Sequence, residues 1–104
     1  MLWSIHVLRS PEEKTAGVKQ FPSPLPVDAL LFFPWITTPG AVSMQGVDEP
    51  LRVYILGQTL GLIHRLTMQP GEVLALPPDA CHVVESSAEA PVESDFYRLL
   101  GKYL

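Results

Sequence analysis

The chain predicts a mainly β fold of the α+β type: a small antiparallel sheet or barrel-like single domain with a short N-terminal helix and a C-terminal helix. Three observations lead there. Segments of alternating apolar and polar residues recur along the 104 residues. They are separated by many turn residues, with 11 prolines and 7 glycines in all. Only residues 11–19 and 91–104 carry helical signals.

Residues 3–8 alternate, with Trp3, Ile5 and Val7 on one face and Ser4 and His6 on the other, as in a strand. Ser10-Pro11-Glu12-Glu13 then starts a helix. Ser10 caps it, Pro11 takes the first helical position and Glu13 completes a capping box. Residues 21–26 (FPSPLP) read as a stiff surface connector. The continuous apolar run 28–35 (DALLFFPW) reads as a strand buried on both faces. Pro39-Gly40 marks a turn and residues 41–45 a brief strand.

Residues 51–56 and 60–68 are both period-2 segments, joined by Gly57-Gln58-Thr59, and this reads as a β-hairpin. Leu56 and Ile63 fall on its polar side and need cover. Residues 73–76 and 81–86 are further strands, separated by the turn Pro77-Pro78-Asp79. In the last segment Ser94 is placed to cap a helix whose stripe is Phe96, Leu99, Leu100 and Tyr103.

The hydrophobic fraction of 47% against 17% charged residues excludes intrinsic disorder. A net charge of −4 with no Lys/Arg cluster argues against a phosphate-backbone binder, so no nucleic-acid partner is expected. No apolar stretch reaches the ~20 residues of a spanning helix, and residues 1–8 lack the features of a signal peptide. No membrane partner is expected, and the expected location is the cytoplasm. The single Cys81 excludes an internal disulfide and a multi-thiolate zinc site.

The order of segments resembles the bacterial domain-of-unknown-function 192 family. The acidic-start helix at residues 10–18, Leu31-Phe32-Phe33-Pro34, the strand holding Met44, Pro50-Leu51 leading into the hairpin, and Val83-Val84-Glu85 stand in the family's order. The match spans roughly residues 5–86. There are departures. Ser43-Met44-Gln45-Gly46-Val47 lacks the family's aromatic, Lys and Asn, Arg52 stands where the family has Asp, and a helical pattern replaces its Gly-rich tail. The resemblance implies a compact β-rich domain with no assigned enzymatic activity, and it supplies no catalytic residues.

Chemistry-bearing residues give no catalytic motif. His64 falls between Leu62 and Leu66 on an apolar face, a core or core-rim position, and His6 faces solvent. Cys81 and His82 are neighbours in a strand and point to opposite faces, so they are not a nucleophile–base pair. The same holds for His82 and Glu85, three apart. No metal-ligand spacing or nucleotide-binding loop occurs, so neither a metal nor a cofactor is expected. The candidate ligand-binding residues are Arg52, Arg65, His64 and Trp35, the last either core or groove lining. The function expected is a non-enzymatic module that binds a small molecule or a protein, a homodimer being one form of this. The alternative is a small enzyme, or its remnant, using Arg52, Arg65 and a histidine on an anionic substrate.

Overall fold

The computed structural model describes residues 3–34, 40–88 and 94–103, with the side chains of 94–98 excepted. Within them lie β1 (Ser4–Val7), α1 (Pro11–Ala16), a 3-10 segment (Gly17–Gln20), β2 (Ala29–Phe33), β3 (Gly40–Ser43), β4 (Leu51–Leu56), β5 (Leu62–Met68), β6 (Val73–Leu76), β7 (Cys81–Ser86) and a second 3-10 segment (Ser94–Tyr103). The fold is mainly β, as the sequence predicts, in two sheets that stay open and do not close into a barrel. Of the turn expected at Pro39-Gly40, Pro39 lies outside the described residues and Gly40 already belongs to β3.

The larger sheet has the order β1-β2-β7-β4-β5. Its pairs are antiparallel except β1 with β2, which runs parallel from Ser4↔Ala29 to Val7↔Phe32. Parallel neighbours need a long crossover, and residues 8–28 provide it with α1. The capping box forms as expected: the Glu13 amide donates to Ser10 Oγ and the Ser10 amide to Glu13 Oε1, both at 3.1 Å. The α-helix is shorter than the predicted 11–19. Gly17, at φ 56°, breaks the helical path and the chain tightens into the 3-10 segment. Gln20 Nε2 closes the end by donating to the carbonyls of Glu13 and Gly17. In the proline connector Leu25 alone is buried, and its amide donates to Glu49 Oε1 at 2.8 Å.

The hairpin register runs from Leu51↔Met68 to Ile55↔His64 and then shifts, so that Leu56 pairs with Leu62. This irregularity lengthens the predicted connection to residues 57–61, closed by Gly57 N to Gly61 O and Leu60 N to Gly57 O. Every residue of β2 and of β7 is buried, because both strands lie inside the sheet with both faces covered. On one face Leu31, Phe33, Val53 and Val84 pack with Val42 and Leu76 of the two-stranded β3–β6 sheet. On the other, Phe32, Tyr54, Leu56 and Val83 pack with Leu100, while Tyr103 leans on the cluster.

The C-terminal helix is thus a 3-10 segment; of its expected stripe, the Phe96 side chain lies outside the described residues. Leu100 and Tyr103, three apart, share one side of the tighter turn, and Leu99 is left 59% exposed. Leu56 finds its cover here; Ile63 does not and is 60% exposed.

Candidate functional site

A cavity of about 350 Å³ opens between the helical crossover and the sheet. Residues 14–19 form one wall, residues 40–43 of β3 another, and Phe33, His82 and Val84 come from the larger sheet. A crossover that returns the chain to a parallel neighbour of β1 passes over one face of the sheet, and here Leu8, Val18, Phe21 and Leu25 pack it on this one. That path carries Lys14 and Lys19 to the cavity.

His82 is the unusual member. It stands in the central strand β7, paired across to Phe33 on β2 and Ile55 on β4. Its ring lies parallel to Phe33, with 4.2 Å between centroids and 7° between planes. Only 5% of the residue is exposed, and Nδ1 is buried with no hydrogen-bond partner among the described residues. Burial, reinforced by the Lys14 ammonium, pushes the imidazole pKa down to about 3. At neutral pH the ring is therefore uncharged, with one N–H donor and one acceptor nitrogen.

Lys19 is held over a turn. A Cβ at Gly46, which has φ +78°, would come within 2.8 Å of Lys19 Cε, so the lysine stem uses the space a side chain would fill. None of the described residues lining the cavity is acidic.

A second polar group lies across the sheet. Glu85, 1% exposed, receives through Oε1 both Arg52, at 2.8 Å, and the Tyr54 hydroxyl; its Oε2 has no partner among the described residues. Arg52 also donates to the Ser87 carbonyl at 3.4 Å. Burial opposes the Arg52 charge, but the hydrogen bonds to Glu85 and Tyr54 outweigh it and raise its pKa. The arrangement ties β4 to β7 within one sheet face.

The residues singled out from sequence are not brought to one place. Arg52 is engaged by Glu85. Arg65 lies opposite Tyr54, on the same face as Arg52, but is exposed. His64 pairs with Ile55 and so points to the other face. The expectation of a core or rim position for His64 is corrected: it is exposed, because β5 is an edge strand and the cover over that face ends near Leu66 and Met68. Neither arginine nor His64 lines the cavity. Trp35 lies outside the described residues.

The strand reading of residues 81–86 did separate Cys81 from His82. Cys81 is fully buried with the Leu56–Leu100 cluster, and burial pushes its thiol up to about 11. His6, placed in solvent from sequence, is half-buried with its ring edge-on to Phe21. Sequence reasoning missed His82, Lys14 and Lys19 as a group. The only local signal was a histidine within an apolar strand. Among the described residues no three His, Cys, Asp or Glu side chains are placed to hold a metal, and no helix is long and apolar enough to cross a membrane.

The fold defines a class: an open, mainly β domain with a helical crossover over one face. Solved structures share it. A Sinorhizobium meliloti protein described as a "putative transcription regulator" superposes with a TM-score of 0.63 at 12% identity, over 81% of this chain and 69% of that one. A protein of unknown function from Novosphingobium aromaticivorans does so with a TM-score of 0.63 at 14% identity, over 82% of this chain and 64% of that one. At such identities the likeness shows the fold alone. No protein-family model and no curated protein sequence matches the chain.

Proposed function

We propose that the chain is a non-enzymatic binding module whose ligand is a small molecule seated in the cavity beside His82. The observation that carries this is the buried, unpartnered Nδ1 of His82 at a cavity of about 350 Å³. Buried polar atoms are nearly always hydrogen-bonded, and one left over beside open volume suits a ligand that completes it. The volume falls at the small end of the range for ligand sites. The enzyme alternative is the less favoured reading, since both histidines it could use, His64 and His82, pair with Ile55 and so lie on the sheet face opposite Arg52 and Arg65.

The test is a fragment panel followed by amide NMR on the full chain. Bound fragments should shift the resonances of residues 14–19, 40–43 and 82. Hits that leave those amides unmoved would remove the reading. A protein partner, including a second copy, is favoured by one separate feature: Leu62 and Ile63 are 42% and 60% exposed on the edge strand β5. Sedimentation across a concentration series tests it, and a monomer throughout would exclude the second copy.

The segment order supports a divergent member of the domain-of-unknown-function 192 family, forming one domain. The lone, buried Cys81 is consistent with a reducing, cytoplasmic setting. A nucleic-acid role, which the description of the Sinorhizobium protein would suggest, has no support in a chain of net charge −4.

A further inference from the structure

We infer that the ligand of this cavity is a short extended peptide that adds a strand to the free edge of β3, its central side chain turned inward toward Val84. The inference rests on the cavity being the ligand site and adds the chemistry of what enters it.

The edge comes first. β3 and β6 form a two-stranded sheet, and among the described residues no other strand pairs with β3. Successive residues of a strand point to opposite faces, and here Val42 is buried while Ala41 and Ser43 are exposed. Yet Gly40, Ala41, Val42 and Ser43 all line the cavity, so the cavity runs along the edge of the strand. The ladder fixes which backbone groups point there. Just past β3, the Met44 amide donates to the Glu72 carbonyl at 2.7 Å, and the Met44 carbonyl accepts from the Gly71 amide at 2.9 Å. Both groups of Met44 thus turn toward the β6 side. Backbone direction alternates along an antiparallel pair, so Gly40 and Val42 bond to β6. The N–H and C=O groups of Ala41 and Ser43 point the other way, toward the cavity. Edge strands ordinarily carry charges, proline or a bulge that keep other strands off. β5, at the edge of the larger sheet, exposes His64 and Arg65, whereas β3 is Gly-Ala-Val-Ser with none of these devices.

The enclosure selects the occupant. Besides β3, the cavity is bounded by residues 14–19 and floored by Phe33, His82 and Val84. A second copy could offer its own β3 only by bringing its own crossover wall against this one. A lone extended segment brings nothing beside it. In antiparallel pairing about three residues satisfy the outward groups of Ala41 and Ser43, against about five in parallel pairing. β3 is four residues long, which suits the antiparallel case. The peptide residue opposite Val42 shares its inward direction and meets Val18, Val42 and Val84, so an aliphatic side chain fits there.

The probe is acetyl-Thr-Val-Thr-amide, titrated into the full chain and followed by amide NMR. It should shift residues 14–19, 40–43 and 82 and slow hydrogen exchange at Ala41 and Ser43 at least about tenfold. Methylating both Thr nitrogens of the probe removes the donors that face β3 and should weaken binding at least about tenfold. Methylating the Val nitrogen, which faces away, should change binding by less than about twofold. Ala41→Pro removes an edge donor and no bond to β6, so it should weaken the probe about fivefold. If that variant loses its fold, the methylation series on the unaltered chain decides. Equal losses from the two kinds of methylation, or unchanged exchange at Ala41 and Ser43 in the complex, overturn the edge pairing and leave the cavity reading in place. A probe lengthened by about two residues at each end should bind no tighter; a gain of about tenfold makes the occupant a segment of a longer chain and overturns the short peptide. Protection of Ala41 and Ser43 that grows with protein concentration alone means a second copy and overturns it too. If the probe leaves these amides unmoved while neutral fragments shift them, the ligand class is wrong and the site stands. If neutral fragments fail as well, both readings fall.

Discussion

Cys81 and His82 are covalent neighbours whose side chains occupy different halves of the molecule. Burial places the Cys81 thiol about two pKa units above a free thiol, so its thiolate fraction falls roughly a hundredfold. A thiol reagent at pH 8 should therefore label the native chain at least about a hundredfold more slowly than the unfolded one. Labelling at comparable rates would refute the burial of Cys81. His82 makes the opposite kind of statement. Its imidazole is neutral when folded down to about pH 3, whereas in the unfolded chain it ionises near 6.5. The folded pKa is depressed, so the unfolded state binds the proton first. Stability is fully present above pH 6.5 and drains away as pH falls toward 3, by several kcal/mol in order of magnitude. His82→Phe, which keeps a ring against Phe33, should flatten the acid limb of stability over that window in urea titrations. An unchanged limb would place the acid sensitivity elsewhere. Alternation along a strand is a local property, so the separation of the two side chains was legible in the sequence. That His82 sits in a central strand, with both neighbours covering it, was not, because it depends on β2 and β4.

At the level of elements, what was readable is what nearest neighbours along the chain decide. Ser10, Pro11 and Glu13 specify a helix start from four consecutive positions, and the start appears where they put it. Ser10→Ala should cost about 1 kcal/mol by removing an amide acceptor, read as a lower urea midpoint with the slope unchanged. The hairpin was equally legible, while its bulge near Ile55 and Leu56 was not, since alternation stays regular through it. Pairing between distant strands left no such trace. Arg52 and Glu85 are 33 residues apart and lie directly opposite one another on β4 and β7. From sequence Arg52 stood as a ligand contact; the structure gives it a structural partner. Removing one member of a buried pair strands the other. Glu85→Ala or Arg52→Met alone should destabilise by about 3 kcal/mol, and the double change by clearly less than the sum. A strictly additive cycle would mean that the pair contributes nothing jointly.

For the molecule as a whole, the governing fact is that the larger sheet is apolar on both sides, so two separate covers are required. The sequence showed the need, in the continuous run at residues 28–35 and in Leu56 on the polar side of the hairpin, but not how it would be met. Which segment covers which face is settled by topology. The crossover and the β3–β6 sheet go to one face, where the cavity opens, and the C-terminal 3-10 segment goes to the other. The same division explains why the candidate site was the least legible part. Residues 14–19, 40–43 and 82 meet only after a parallel pairing of β1 with β2 that no local pattern encodes. It also makes the two faces separately testable. Leu100 is fully buried in the cluster that holds Cys81, Tyr54 and Phe32, so Leu100→Ala should cost about 2–4 kcal/mol through lost burial and a residual cavity. Because the C-terminal segment caps only that face, the same change should raise the native labelling rate of Cys81. It should also leave the amide shifts of residues 14–19 near their original values. Should Leu100→Ala instead disturb residues 14–19 while Cys81 stays protected, the two faces are not independently covered, and the cavity over His82 would have to be understood as part of one continuous core.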